Sequence, residues 1–217
     1  MLEWLTTNWT EIFGFVTGAL CVLFAARRNI WTFPLGLASN VVFFIVFVEY
    51  QLYADAGLQI VYAVLAVTGW IGWNRARAAD HRAAARHLRP GAILPLVLVA
   101  IAGTAILTFV LSTFTDSTTQ VADASTTTIS LVAQFMLNRR WIESWFVWIA
   151  VDVAYIGLFI YKGLWITAAL YLIFIALCVH GYLTWRKAPT TIVHADSPDD
   201  QAPDDQAPDD RSVTARA

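Results

Sequence analysis

Seven stretches of mainly apolar residues run along this chain, at 10–26, 30–49, 54–73, 92–112, 124–138, 143–162 and 164–185. Each comes close to the ~20 residues that a helix needs to cross a hydrocarbon core about 30 Å thick. Six are mainly apolar with no continuous polar stripe, the pattern of helices with no water-facing side. The fifth differs, because Asp123, Thr127, Ser130 and Gln134 recur at i, i+4, i+7 and i+11 and draw a polar stripe down one face. The pattern predicts an all-α polytopic membrane protein with seven transmembrane helices. Composition agrees: 58% of residues are hydrophobic and 14% charged, against about 25% charged in an average globular chain. Seven of the 16 acids lie in the tail from Asp196 onward, so the remainder is too apolar for a water-facing surface. A soluble enzyme, a nucleic-acid binder and a secreted disulfide scaffold are excluded on these grounds. Cys21 and Cys178 both fall inside apolar runs, where they read as packing residues.

Charge gives the chain a direction. Arg27 and Arg28 follow the first stretch, Arg75, Arg77, Arg82, Arg86 and Arg89 the third, Arg139 and Arg140 the fifth, and Arg186 and Lys187 the seventh. With seven spans all of these fall on one side, and the opposite loops offer Lys162 alone. Cytoplasmic loops collect Lys and Arg, so the expected topology has residues 1–9 outside and the C-terminus in the cytoplasm. The acidic start, Met1 to Glu11, does not resemble a cleaved signal. The basic linker 74–91 is expected to be a short cytoplasmic interfacial helix stopped by Pro90-Gly91. The tail 188–217 repeats Pro-Asp-Asp three times and is expected to be disordered.

An internal repeat organises the spans. In one gapless register, Arg27-Arg28 falls on Arg139-Arg140, Phe47 on Phe159, Leu52 on Leu164, and Leu58 on Leu170. Gly69 and Trp73 fall on Gly181 and Trp185, Glu11 on Asp123, and Asn40 on Asp152. The segments 10–73 and 124–185 therefore read as two copies of one three-helix unit. Three is odd, so a direct tandem would insert the second copy upside down; the unmatched helix at 92–112 restores its orientation. The expected architecture is 3+1+3, two parallel three-helix repeats, the class that includes the SWEET carriers, with a substrate site near the midplane between the halves.

Charges within a span need a reason, since each costs ~2.5–3.5 kcal/mol at the bilayer centre on insertion scales. Asp152 lies midway along the sixth stretch, and Trp145, Trp148, Asp152 and Tyr155 share one helix face at i, i+3, i+7 and i+10. A carboxylate with three aromatic rings suits a flat cation, through charge pairing and cation–π contact. The competing explanation is a carboxylate satisfied by a neighbouring hydroxyl, with tryptophans as packing or interfacial groups. Asn40 is the repeat mate of Asp152; Gln59, Tyr62, Trp70 and Trp73 lie near one face of the third span. Asp123 and Gln134 complete the candidate substrate-binding set, and Gln134 reads equally as a helix–helix hydrogen-bonding group. Thr127 and Ser130 read as helix–helix hydrogen-bonding groups. His180 reads as a packed, neutral histidine.

Several segments together resemble the nicotinamide riboside transporter family, PnuC. They are LYADAGLQ from Leu52 to Gln59, GWIGW from Gly69 to Trp73, RRWIESW from Arg139 to Trp145, WIAVDV around Asp152, and YKGLWITAALY from Tyr161 to Tyr171. Ser144 departs from the family pattern, which more often carries an Asn there. The resemblance covers about residues 10–187. It implies uptake of nicotinamide riboside, an NAD precursor, across the bacterial plasma (inner) membrane by facilitated diffusion, with cytoplasmic phosphorylation trapping the product. It also implies a SWEET-like fold, a homotrimer among membrane lipids, and no cofactor. Relatives similar to thiamine or riboflavin transporters leave the vitamin open. Two other classes fit less well. A retinal protein needs a lysine deep in its last span, whereas Lys162 and Lys187 sit near membrane edges. An intramembrane hydrolase needs a nucleophile and base or paired carboxylates, and Asp152 stands alone in depth. No catalytic or metal site is expected.

Overall fold

A computed structural model describes residues 9–49, 53–79, 85–114, 119–161, 163 and 165–187. The N-terminal stub, Lys162 and the acidic tail lie outside the described residues. Seven helices appear among them: α1 (Trp9–Ala26), α2 (Thr32–Glu49), α3 (Tyr53–Ala79), α4 (Pro90–Phe114), α5 (Gln120–Asn138), α6 (Ser144–Tyr161) and α7 (Trp165–Arg186). Five of the seven, α2, α3, α4, α6 and α7, are long and apolar enough to cross a membrane. The apolar part of α1 runs over Phe13–Ala26, and α5 carries the polar stripe noted above.

The helix ends follow local chemistry. Both α1 and α5 close in a Schellman turn. Arg28 N–H donates to Ala25 O at 2.9 Å and Asn29 N–H to Phe24 O at 2.8 Å. At the end of α5, Arg140 N–H donates to Leu137 O at 2.8 Å and Trp141 N–H to Met136 O at 3.1 Å. The turn requires a left-handed residue, and Arg28 (φ 53°) and Arg140 (φ 63°) supply it without glycine, a strain of roughly 1–2 kcal/mol each. Cationic side chains beside helix C-termini offset part of that cost. The arginine pairs that mark topology are thus also helix stops.

The linker is not one helix stopped at Pro90. Helix α3 continues through Ala79, 80–84 lie outside the described residues, and 85–89 are not helical. Arg86 forms an isolated parallel bridge with Trp141: Arg86 N–H donates to Arg140 O, and Ile142 N–H to Arg86 O, both at 2.9 Å. Glu143 holds the next two residues, accepting from Leu88 N–H at 2.9 Å and pairing with His87 Nδ1 at 2.9 Å. These partners lie far away in sequence, which is why the local helical pattern misleads. Pro90 begins α4 instead of stopping a helix, because proline at a first helical position gives up an N–H that has no intrahelical acceptor.

Consecutive helices α1, α2 and α3 pack side by side, as do α5, α6 and α7. Contacts α3–α5 and α7–α1 join these two sets into a ring, and α4 packs against α5. At the end of the ring nearest the arginine pairs, aromatic side chains fill the interior. Trp73 and Trp185, each 1% exposed, meet at 6.0 Å between ring centroids. Trp73 Nε1–H donates to Asn138 O at 3.2 Å, and Trp185 Nε1–H is shared between Ala25 O and Ala26 O, both at 3.1 Å. Each bond ties the end of one three-helix set to the end of the first helix in the other. Phe33 lies edge-on to Trp73 (5.2 Å, 82°), and Trp145 lies edge-on to Trp185 (5.3 Å, 88°). A methyl at Gly69 would come within 2.6 Å of the Phe33 ring, and one at Gly181 within 2.6 Å of the Trp145 ring. Only glycine allows either approach. Each contact in one set has its counterpart in the other, in the register that aligns Arg27 with Arg139.

Candidate functional site

Beyond the aromatic plug the ring opens into a cavity of about 290 Å³, at the small end of the range for ligand sites. Six of the ten candidate residues line it: Asn40 from α2, Tyr62 from α3, Gln134 from α5, and Trp148, Asp152 and Tyr155 from α6. The α6 face drawn from sequence spacing is therefore the face that meets the cavity, Trp145 included.

Asp152 is 5% exposed, and its contact with the Cys178 thiol is weak, with Sγ 3.7 Å from Oδ2. Among the described residues the one ion pair is His87–Glu143, and no Lys or Arg reaches Asp152. A carboxylate sunk in a membrane protein without a protein cation is a costly arrangement. It is suited to a positively charged guest. Around it the cavity is aromatic: Tyr155 and Tyr171 lie 5.3 Å apart, and Tyr171 and Phe174 5.4 Å apart. Amides supply the neutral polar contacts. Gln134 Nε2 donates to Asn138 Oδ1 at 3.1 Å, and Asn138 Nδ2 donates to Leu65 O at 2.7 Å, so this chain of bonds holds Gln134 against α3.

Four candidates lie elsewhere. Trp73 sits in the plug, bonded to Asn138 O, and Trp70 packs against the same buried cluster. Gln59 is half-buried on α3 and does not border the cavity. Asp123 lies in the first turn of α5, where its carboxylate accepts a bond from Thr119 Oγ1 at 2.8 Å, a position that favours an acid beside the helix N-terminus. It borders a separate apolar groove between α3, α4 and α5. Ser130 and Thr126 spend their hydroxyls on carbonyls one turn back, Thr126 O at 2.7 Å and Ala122 O at 2.9 Å.

The cavity also contains Cys21 and Cys178, read from sequence as packing residues, and Gly18, Gly36, Tyr171 and Phe174, which were not among the candidates. The repeat held a signal for two of them. Phe174 is the mate of Tyr62, and Gly36 is the mate of Trp148. The register that pairs Asn40 with Asp152 leads to both.

Residues 8–187 match the family model described as nicotinamide mononucleotide transporter. The chain belongs to this family. It is thus a membrane transporter with several membrane-crossing helices, and membership of a transporter family agrees with the expectation that it is not an enzyme. The riboflavin/roseoflavin transporter RibM of Streptomyces davaonensis is 28% identical over 180 residues, covering 82% of this chain and 84% of that one. The nicotinamide riboside transporter PnuC of Escherichia coli is 23% identical over 203 residues, covering 82% and 85%. Among solved structures, the crystal structure of the vitamin B3 transporter PnuC aligns with a TM-score of 0.65 and 26% identity, over 83% of this chain and 81% of that chain.

Proposed function

We propose that this protein takes up nicotinamide riboside by facilitated diffusion across the bacterial inner membrane. The observation that carries the reading is Asp152, a buried carboxylate on the cavity wall with no cation beside it among the described residues. Nicotinamide riboside has a fixed pyridinium charge on a flat ring, and Trp148, Tyr155 and Tyr171 offer that ring aromatic faces. Asn40 and Gln134 suit the ribose hydroxyls or the carboxamide. Thiamine, with its thiazolium, meets the same requirement for charge. Riboflavin is neutral and gains little from Asp152, but the similarity to the Streptomyces davaonensis riboflavin/roseoflavin transporter makes it the second reading.

In this reading the helices form a 3+1+3, SWEET-like pair of parallel repeats, with α4 as the linking helix. The six-helix ring and the contacts that recur in both sets support it. The arginines support placing the plug end in the cytoplasm and residues 1–9 outside. A homotrimer follows from family resemblance alone.

Uptake of labelled nicotinamide riboside into proteoliposomes tests the proposal, with and without an imposed pH gradient. Facilitated diffusion predicts uptake that ends at equal concentrations inside and out under both conditions. Accumulation driven by the pH gradient would overturn the uniport mechanism. Riboflavin uptake without nicotinamide riboside uptake would establish the second reading in its place.

A further inference from the structure

The two three-helix sets place an aromatic ring at one equivalent point, and the rings differ in size and in one hydrogen-bonding group. Phe33 and its mate Trp145 both lie edge-on to a tryptophan, at 5.2 and 5.3 Å. Both cover a glycine that leaves no room for a methyl. Phe33 shows that a phenyl ring is enough for this packing. Trp145 brings in addition a second ring and an indole N–H. Its side chain is 1% exposed, and Nε1 has no hydrogen-bond partner among the described residues. The neighbouring indoles differ: Trp73 and Trp185 each donate to a main-chain carbonyl. Buried donors are nearly always paired, and one left unpaired disfavours the state that contains it. Trp145 lines the cavity together with Trp148 and Asp152.

We infer that the Trp145 indole N–H donates a hydrogen bond to an oxygen of the transported molecule, and that Trp145 is a recognition residue rather than a packing one. The acceptor is a carboxamide, sugar or ring-carbonyl oxygen. The inference rests on the cavity being the transport site, as proposed above, and not on which vitamin fills it. Nicotinamide riboside and riboflavin both carry such oxygens.

The test removes the donor and keeps the ring. Trp145→Phe installs the side chain of the repeat mate, and benzothienylalanine at position 145 keeps the bicycle with sulfur in place of N–H. Binding calorimetry on the purified full chain, with nicotinamide riboside and riboflavin as probes, is paired with thermal unfolding of the ligand-free protein. Loss of one neutral hydrogen bond predicts affinity lower by about three- to tenfold in both replacements, with ligand-free stability unchanged or raised. If Trp145→Phe does not fold, the benzothienyl replacement decides. Parental affinity in the replacement would overturn the inference and leave the N–H to a bound water. Affinity lost together with stability would return Trp145 to a packing role. A parent that binds riboflavin alone would sink the nicotinamide riboside reading while the inference is scored on riboflavin. A parent that binds neither probe would sink both.

Discussion

The two three-helix sets, 10–73 and 124–185, agree at the plug and part company at the cavity. At the plug the match reaches individual atoms: left-handed Arg28 and Arg140, Trp73 and Trp185 bonded to the ends of α5 and α1, edge-on rings over Gly69 and Gly181. In the cavity, equivalent positions carry different chemistry. Asn40 corresponds to Asp152, Gly36 to Trp148, Val22 to Gln134, and Ala66 to Cys178. The second set supplies charge and aromatic area, and the first supplies space. Shared contacts hold the halves together, where any asymmetry would cost packing. Recognition of an asymmetric guest needs the reverse, so difference gathers where the guest would sit.

The largest expected effect comes from erasing that difference at its most charged point. Asp152→Asn gives α6 the amide of its mate and should weaken nicotinamide riboside binding by about thirtyfold or more, as truncating one member of a buried charge pair costs ~2–5 kcal/mol. Trp148→Ala, which approaches the bare backbone at Gly36, should weaken binding roughly ten- to hundredfold through the loss of about 1–3 kcal/mol of ring contact. A well-folded variant that binds as the parent does would move Trp148 to packing. The amide on the other side should matter less: Asn40→Ala removes neutral hydrogen bonds and should cost about three- to tenfold in calorimetry. An effect as large as that of Asp152→Asn would mean that the first set shares the recognition equally.

The plug should respond symmetrically. Trp73→Phe and Trp185→Phe each remove one indole N–H donor, single-acceptor in Trp73 and shared between Ala25 O and Ala26 O in Trp185, worth ~1 kcal/mol. Each should lower the unfolding temperature by about 2–4 °C in a chain of this size, by similar amounts, with binding unchanged. Unequal losses would break the equivalence of the two sets at the point where the match is closest. Orientation offers a qualitative check on the proposed parallel arrangement of the two sets. A cysteine placed at Ala83 should resist impermeant thiol reagents in intact cells, and one at Ser117 should label; the opposite pattern would invert the topology.

Much of this was readable in the sequence. Hydropathy located all seven helices to within a few residues, apart from the extension of α3 to Ala79. The arginine pairs and the Gly-x-x-x-Trp endings marked the repeat, and the spacing on α6 marked the face bearing Trp148 and Asp152. The face of α3 was not readable. In a membrane both lipid and protein interior accept apolar side chains, so hydropathy does not single out the inward side. Gln59, Trp70 and Trp73 were grouped with Tyr62 on polarity and aromatic character, yet only Tyr62 borders the cavity. Asp123 misled for another reason, because a helix N-terminus with Thr119 nearby already accounts for an acid there. The non-helical stretch 85–89 depends on Trp141, Ile142 and Glu143, partners that no local pattern reveals.

The central claim is that Asp152 reads the positive charge of the guest. Calorimetry of the parent protein with nicotinamide riboside and with its reduced, dihydro form tests this directly, since the two share shape and hydrogen-bonding groups while only the first carries the pyridinium charge. Charge recognition by Asp152 predicts that the charged form binds at least about tenfold more tightly, a difference of ~1.4 kcal/mol. Equal affinity for the two, or tighter binding of the neutral form, would contradict it.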